Sequence, residues 1–300
     1  MAVMNAFSIK DIENLTSIKA HTWRMWESRY NIGIPQRKDS NHRFYDNDDL
    51  KEILKISYLY HAGYKISTIA ALKEAERIRL VEDKSTFTNE RDFLIKEMLE
   101  ASIDLDEDRF NITFKNSCNQ LGLENTLTKV VYPFQQKIGV LWLTEHVIPS
   151  QEHFTSNIIR QKICTAIDEL PSVRKESKPS ILLFTPEKEM HEIPLLLMHY
   201  LLKKHGFKTI YLGSNISLQE VELYANKNPD CTHVLFYLAT NLNSWSPENF
   251  LSKLCKSFSA KTIMMAGKYV MDISTKPANA MLLHHVEDAL SFCIKNSPNY

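Results

Sequence analysis

The 300-residue sequence has little glycine and no paired cysteine motif. Its 7 Gly include neither a Gly-x-Gly-x-x-Gly fingerprint nor a Walker A loop, which disfavours the common dinucleotide and nucleoside triphosphate sites. Five scattered Cys without a Cys-x-x-Cys pair disfavour a zinc ribbon, a thioredoxin-type site and a disulfide framework. A reducing, cytoplasmic location fits this cysteine usage.

Long apolar runs are also missing. No run approaches the roughly 20 residues that a membrane span needs, and the first thirteen residues lack the pattern of a signal peptide. We therefore expect no membrane association. The content of 44% hydrophobic and 24% charged residues is typical of a soluble globular chain, and its length predicts two or three domains.

The net charge of zero hides an uneven distribution. Residues 1–45 carry more Lys and Arg than Asp and Glu, whereas the rest of the chain carries an excess of acidic residues. A basic N-terminal part on an acidic body indicates a polyanionic partner for that part alone.

Residues 7–80 have the pattern of short packed helices. Ser8 is a candidate N-cap for a helix over 9–15, and a second helix over 19–29 places Trp23, Trp26 and Tyr30 on one face. Residues 31–41 form a predicted loop or wing. Asp46 begins a third helix that stops near Gly63, and a fourth starts at residue 65 or 67. This order predicts a winged helix-turn-helix.

The same segment resembles the MerR family over residues 7–75. The resemblance rests on the opening SIKDIE (8–13), the helix ending WESRY (26–30), the wing closing on RFY (43–45) and the DDL (48–50) of the third helix. It implies contacts to double-stranded DNA from the front of the second helix and from the wing. The implied DNA-binding residues are His21, Thr22, Arg24, Arg29, Tyr30, Arg43 and Tyr45.

The remaining chain divides into a helical and an alternating block. After a charged linker over 81–90, residues 90–172 lack strand signals and predict a four-helix bundle. From residue 178 to 300, strands and helices alternate, which predicts a doubly wound parallel sheet of the Rossmann-like type. The fold class is thus α plus α/β, with domains at 1–80, 90–172 and 178–300. Ligands of such sheets bind at the carboxyl ends of the strands.

One candidate metal ligand follows the first strand of the sheet. His191 lies in the loop after 181–185, and Glu189 precedes it by two residues. A carboxylate at this spacing can orient an imidazole toward a metal. Without further support, such a histidine is more often a surface or hydrogen-bonded residue.

The helical block adds Trp142, nine intervening residues, and then Glu152-His153. Together with Glu189-x-His191 and the domain order, this resembles the cobalamin-binding photoreceptor regulators of the CarH/LitR group. The resemblance implies adenosylcobalamin as cofactor, His191 as the lower axial ligand of its cobalt, and Trp142 as a cap over the adenosyl group. Glu152 and His153 would line the upper face, and Gly213 and Gly267 would lie at strand ends beside the cofactor.

The sequence departs from that pattern at several positions. The family has Gly three residues after the histidine, where this chain has Pro194, and Lys268 follows Gly267 in place of a second glycine. Phe236-Tyr237-Leu238 stands where a Ser contact is usual. Leu143 replaces the histidine that can bind cobalt after illumination. These departures keep open a regulator whose cobalamin domain is vestigial and serves oligomerisation or partner binding.

The leading expectation is a cytoplasmic transcription regulator, not an enzyme. It would repress by binding an inverted-repeat operator as a dimer or tetramer, under control of adenosylcobalamin and, through the resemblance, light. No sustained heptads follow residue 75, which favours repression over MerR-type activation. A cobalamin-dependent methyl-transfer or carrier subunit is the alternative from another class, and the basic N-terminal part disfavours it.

Overall fold

The computed structural model describes residues 8–16, 18–37, 43–61, 63–83, 90–143, 149–171, 179–240 and 245–296. It comprises two compact units, Met1–Thr155 and Ser156–Tyr300. Of the linker predicted over 81–90, residues 84–89 lie outside the described residues, whereas 81–83 belong to a helix that begins at Glu74. The predicted boundary over 172–178 also lies outside them. Among the described helices, none is long and apolar enough to cross a membrane.

The first unit begins with a small helical head. Its elements are α1 (Ile9–Thr16), α2 (Ala20–Tyr30), β1 (Gln36–Arg37), β2 (Arg43–Phe44), α3 (Asn47–His61), α4 (Ile66–Ala71) and α5 (Glu74–Asp83). Strands β1 and β2 pair antiparallel, with Arg37 opposite Arg43. The predicted winged helix-turn-helix pattern is present, and α5 is an additional helix that was not predicted.

Thr16 and Glu13 fix the turn between α1 and α2. Nε1 of Trp23 donates to Oγ1 of Thr16 at 3.1 Å, and the same oxygen accepts the N–H of Ile18 at 3.2 Å. Glu13 accepts the N–H of Ala20 at 3.0 Å and pairs with Lys19 at 3.1 Å. A carboxylate at the first turn of α2 satisfies an otherwise unpaired helix donor.

The head has its own apolar core, which includes Trp23 and Trp26 as predicted. Their rings meet edge to face with centroids 5.1 Å apart. The buried members are Ile12, Ile18, Trp23, Trp26, Ile32, Tyr45, Ile53, Ile56, Leu59 and Ile69. Because aromatic pairs at this spacing bury large surfaces, they anchor α2 against the rest of the head.

A run of helices follows the head, in agreement with the predicted helical block. Its elements are α6 (Glu90–Ile103), α7 (Glu107–Leu121), α8 (Leu123–Thr126), a π-helical turn (Leu127–Val131), α9 (Tyr132–Leu143) and α10 (Pro149–Asp168). Asp106 caps α7 by accepting the N–H of Arg109 at 2.9 Å. Phe110 and Phe134 are buried and pack edge to face. Helix α10 is continuous, and the division between the two units falls within it.

The second unit contains a five-stranded parallel sheet in the order β4-β3-β5-β6-β7. Its strands are β3 (Ser180–Pro186), β4 (Lys208–Ile216), β5 (Cys231–Tyr237), β6 (Thr262–Ala266) and β7 (Ala280–Leu283). The connecting helices are α11 (Glu192–Lys204), α12 (Leu218–Lys227) and α13 (Pro247–Ser257), a 3₁₀ turn spans Lys268–Asp272, and α14 (Val286–Lys295) closes the unit. This doubly wound order places the topological switch between β3 and β5.

The sheet is covered on both faces, as its apolar strands require. Leu182 and Phe184 of β3 pack with α12 and α13 in one core, and the alternation of side chains directs Ile181 and Leu183 to the opposite face. All residues of β3 are buried. The five strands predicted from the sequence are present; β4 continues past Gly213 to Ile216, whereas the prediction ended it at Gly213.

Candidate functional site

The exposed face of α2 carries the predicted DNA-reading side chains. Trp23 and Trp26 are buried, whereas His21, Arg24 and Arg29 are exposed. Thr22 and Tyr30 are half-buried at the edges of this face. Since one side of α2 is held by the core and the other is polar and basic, α2 has the geometry of a recognition helix.

The second predicted contact region, the wing, is corrected at one position. Tyr45 is 1% exposed and lies in the core of the head. Its ring therefore cannot form the surface contact expected from the sequence, because it is packed inside the core of the head. Arg43 lies in β2, but its side chain is outside the described residues, as are residues 38–42 of the wing.

The predicted upper-face residues lie in the first unit. Trp142 is part of α9, although its side chain is outside the described residues. Glu152 and His153 are in the first turns of α10, where Nδ1 of His153 lies 3.0 Å from Oε2 of Glu152. His153 is exposed and Glu152 is half-buried. These two neighbours are thus paired with each other at the start of a helix.

The carboxyl end of β3 is organised by Glu189, whose side chain is 1% exposed. Its Oε1 accepts the N–H of His191 at 2.9 Å and lies 2.6 Å from Nδ1 of the same residue. Its Oε2 accepts the backbone N–H groups of Ala239 and Thr240 at 2.7 and 2.6 Å. One buried carboxylate therefore joins the loop after β3 to the end of β5, across the topological switch point.

Two forces act on the Glu189 carboxyl in opposite directions. Burial disfavours its charged form, but the hydrogen bond and charge of His191 and the N–H groups of Thr240 and His191 outweigh burial and hold the pKa below its ordinary value. The carboxylate is thus ionised at neutral pH. An ionised acceptor on Nδ1 keeps the proton of a neutral imidazole on that nitrogen and directs its Nε2 to act as a ligand.

The His191 ring is 56% exposed at the start of α11. Thr185 fixes the loop beneath it, since its hydroxyl donates to the carbonyl of Glu189 at 2.6 Å and accepts the N–H of Asn215 at 3.0 Å. Oδ1 of Asn215 in turn accepts the N–H of Lys188 at 2.8 Å. The backbone that carries His191 is therefore held by β3, β4 and β5 together.

The two glycines predicted at the cofactor differ in their surroundings. Gly213 has φ +88°, and a Cβ there would make only ordinary contacts. Gly267 has φ +107°, and a Cβ there would overlap the backbone of Leu238, whose N–H bonds to Ala266 at 2.9 Å. The space beside Gly267 in that direction is thus filled by the end of β5, so this glycine serves the close approach of two strand ends.

The residues that build this loop were not predicted from the sequence. Thr185, Asn215 and Thr240 support Glu189 and its neighbours from three strand ends. Their only local signal is their position as polar residues at or just after apolar strands. A second polar group, Arg160, Glu192 and Tyr211, lies beside the start of α11 and was also not predicted: Tyr211 donates to Oε1 of Glu192 at 2.8 Å, and Arg160 pairs with Oε2.

Comparison with protein families matches two segments of the chain. Residues 7–76 match the MerR HTH family regulatory protein model, and residues 94–165 match the B12 binding domain model. The structure is similar in fold to the monomethylamine corrinoid protein of Methanosarcina barkeri, with a TM-score of 0.55 and 14% identity, over 67% of this chain and 97% of that one. At this identity the likeness concerns the fold.

These matches define a MerR-type helix-turn-helix transcription regulator with a B12-binding domain. The chain is homologous to two Myxococcus xanthus proteins. It is 25% identical to the HTH-type transcriptional repressor CarA over 82% of this chain and 80% of CarA, and 23% identical to the HTH-type transcriptional repressor CarH over 72% and 73%. The prediction of a regulator rather than an enzyme is confirmed by these relatives.

Proposed function

We propose that the chain is a transcriptional repressor whose binding to double-stranded DNA is controlled by a corrinoid at His191. The head, residues 1–80, would bind an inverted-repeat operator as part of a homodimer or tetramer. The helical block (90–172) and the sheet domain (178–300) would hold adenosylcobalamin. The observation that carries the proposal is the buried Glu189 carboxylate on Nδ1 of the exposed His191.

The donor chemistry at His191 fits a corrinoid. A corrinoid supplies the other ligands of its metal ion, so a single imidazole from the protein is sufficient. Metal-bound histidines commonly donate the N–H of their other ring nitrogen to a carboxylate, as Nδ1 of His191 can do to Glu189. When bound, the group would supply a cobalt ion, and the imidazole of His191 would hold it. Met190, the residue before His191 in the chain, is 65% exposed and adds an exposed apolar side chain to the same loop.

The chain's own residues would perform the remaining steps. Glu189 holds the imidazole proton on Nδ1 and fixes the ring, while Thr185 and Asn215 keep the loop rigid. Arg24, Arg29 and His21 on α2 would contact the duplex, since guanidinium and imidazole groups on a rigid helix bind phosphates and base edges. Corrinoid binding controls DNA binding only if one assembly state binds the corrinoid better than another.

The visible spectrum tests the cofactor. Full-length protein is mixed in the dark with adenosylcobalamin, desalted and measured, then illuminated and measured again together with its gel-filtration mass. We expect retained colour, and a changed spectrum and mass after light. His191→Ala should lose or distort the spectrum. The matched control is His284→Ala, because His284 is also an exposed histidine directly after a parallel strand. An unchanged His191→Ala spectrum refutes the assignment.

Gel shifts test whether the corrinoid and light control DNA binding. The protein is measured in the dark and after illumination, on DNA from upstream of its own gene. We expect specific binding in one state and at least tenfold weaker binding in the other, about 1.4 kcal/mol of coupling. Equal affinity in both states, with bound corrinoid, would contradict control by light. Equal affinity with and without corrinoid would contradict control by the cofactor.

A second candidate is a MerR-type regulator whose sheet domain has lost the cofactor and serves oligomerisation. It is favoured by Gly267, whose free side is filled by Leu238, and by Pro194 where the family has glycine. In this case the desalted protein is colourless, and operator binding is the same with or without adenosylcobalamin.

A further inference from the structure

Helix α11 begins with two adjacent residues that are held by different partners. His191 is fixed by Glu189, as described above. The side chain of Glu192, the first residue of α11, is held from the other side, by Tyr211 of β4 and Arg160 of α10. The Glu192 side chain is 15% exposed and the Arg160 side chain 49% exposed, so the ion pair is only partly removed from water. Such partly desolvated, hydrogen-bonded pairs are stronger than surface pairs.

Helices α10 and α11 border a common cavity that is open to solvent. Positions spaced at helical intervals on both helices face a cavity of about 290 Å³. The cavity is lined by Arg160, Cys164, Ile167, Asp168, Glu192, Leu196, His199, Lys203 and Tyr211. Nδ1 of His199 is buried there without a hydrogen-bond partner among the described residues. The ion pair between Arg160 and Glu192 therefore joins α10 to α11 where the two helices border this cavity.

Tyr211 is rigidly placed. Its ring stacks on His199 with centroids 4.9 Å apart and planes 13° apart. Burial and the hydrogen bond to Glu192 raise its pKa, so the hydroxyl stays protonated and donates. Glu192 therefore has one fixed partner on the sheet, Tyr211, and one on α10, Arg160. Any displacement of His191 moves the adjacent Glu192 and changes its distance to both.

We propose that Arg160, Glu192 and Tyr211, the α10 clasp, attach helix α10 to the residue next to His191 and transmit the ligation state of His191 to α10. The clasp residues are positioning residues, because they act on α10 and on His191 through the chain. The inference rests on the proposed function for the ligand at His191. Helix α10 is the element that continues from the first unit into the second. It is therefore part of the covalent connection between the sheet domain and the head.

Hydrogen exchange of the full-length protein without ligand tests the attachment. We compare the wild type with Arg160→Gln, Tyr211→Phe and, as the conservative variant, Arg160→Lys. Peptides covering 156–168 should exchange about fivefold faster in the first two, the ratio expected for the loss of one ordinary hydrogen bond, and less in Arg160→Lys. Peptides of β3 and β5 should be unchanged, which shows that the sheet is folded. Lys162→Gln is the control, since it removes the same charge from α10 outside the cavity lining. Unchanged exchange in Arg160→Gln and Tyr211→Phe overturns the clasp.

Hydroxocobalamin tests the transmission, with the visible spectrum as an independent readout. In the wild type and in Lys162→Gln, the ligand should change both the spectrum and the exchange of residues 156–168. In Arg160→Gln and Tyr211→Phe, the spectral change should remain while the exchange of α10 no longer responds. A wild type with a spectral change but no response in α10 overturns the inference and leaves the proposed function intact. A wild type without any spectral change refutes the cofactor at His191 and the transmission together.

Discussion

The carboxylate of Glu189 accepts the backbone N–H of Thr240 at 2.6 Å, although 51 residues separate them in the chain. The same carboxylate holds the ring of His191. The candidate ligand is thus positioned by the end of a strand that does not carry it. The loop after β3 and the end of β5 form one unit because a buried charge requires several hydrogen-bond donors.

Replacing Glu189 by Gln should destabilise the second unit by about 2–4 kcal/mol, because an amide cannot accept all the N–H groups that face the carboxylate. Urea unfolding at neutral pH measures this loss. Since the pKa of Glu189 lies below its ordinary value of 4.5, the stability that it contributes is complete above that pH and is lost as the pH falls below it.

The Glu189→Gln variant should therefore lose less stability than the wild type on acidification below pH 4.5. Glu187→Gln is a control in the same loop, because Glu187 lies outside the hydrogen-bond network of the Glu189 carboxylate. Equal stabilities of Glu189→Gln and wild type would contradict the role assigned to this carboxylate.

His199 predicts a second, separate acid dependence. Burial, followed by the charge of Lys203, lowers its pKa from 6.5 to about 4. The folded form keeps the imidazole neutral while the unfolded chain takes up a proton, so stability should fall as the pH drops from 6.5 to about 4. The loss is at most about 3 kcal/mol. The charged and titratable groups around this ring are Lys203 and Glu192 of α11, Tyr211 of β4, and Arg160, Cys164 and Asp168 of α10.

Urea unfolding between pH 4 and 7 measures this dependence, and His199→Gln should flatten it. His205→Gln is the matched control, since His205 follows α11 directly and is outside the cavity. If the stabilities of His199→Gln and the wild type depend on pH in the same way, the prediction that His199 is buried and neutral is wrong.

Substitutions of Gly267 and Gly213 compare two costs of adding a Cβ. One is the overlap with a neighbouring backbone, and the other is the strain of a positive φ. Both glycines have positive φ, +107° and +88°. Gly213→Ala should cost about 1–2 kcal/mol from the backbone alone. Gly267→Ala should cost more than about 3 kcal/mol, because its Cβ would also overlap Leu238. Urea unfolding compares the two, and equal costs would contradict the close contact between the strand ends.

Arg24→Ala should weaken binding of full-length protein to any duplex and lower the slope of log K against log salt by about 1, if the guanidinium contacts a phosphate. Fluorescence anisotropy at several salt concentrations measures this slope. Ser28→Ala, on the same exposed face of α2, should leave it unchanged.

Tyr45→Ala is expected to behave differently from Arg24→Ala. Its effect should appear as a loss of head stability of about 3–5 kcal/mol, because Tyr45 is a core residue. The salt slope of the folded fraction should remain that of the wild type. A lowered slope of log K against log salt with unchanged stability would show instead that Tyr45 contacts DNA.

The sequence alone determined the order of elements and the residue types at the candidate site. Spacings of three and four predicted the burial of Trp23 and Trp26, and alternation of strand and helix predicted the parallel sheet. These are local patterns, because periodicity follows directly from the geometry of helices and strands. The pair Glu189 and His191 was recognised for the same reason, since both lie in one short loop.

The partners of those residues follow from the three-dimensional packing of the chain. In the folded chain, Glu189 bonds to Thr240 and Glu192 pairs with Arg160. Tyr45 lies in the core of the head, and Leu238 lies against the open side of Gly267. Each of these depends on which strand or helix becomes a neighbour in space. Contacts between distant segments are selected by packing and by the pairing of buried polar groups, and neither leaves a periodic mark on the sequence.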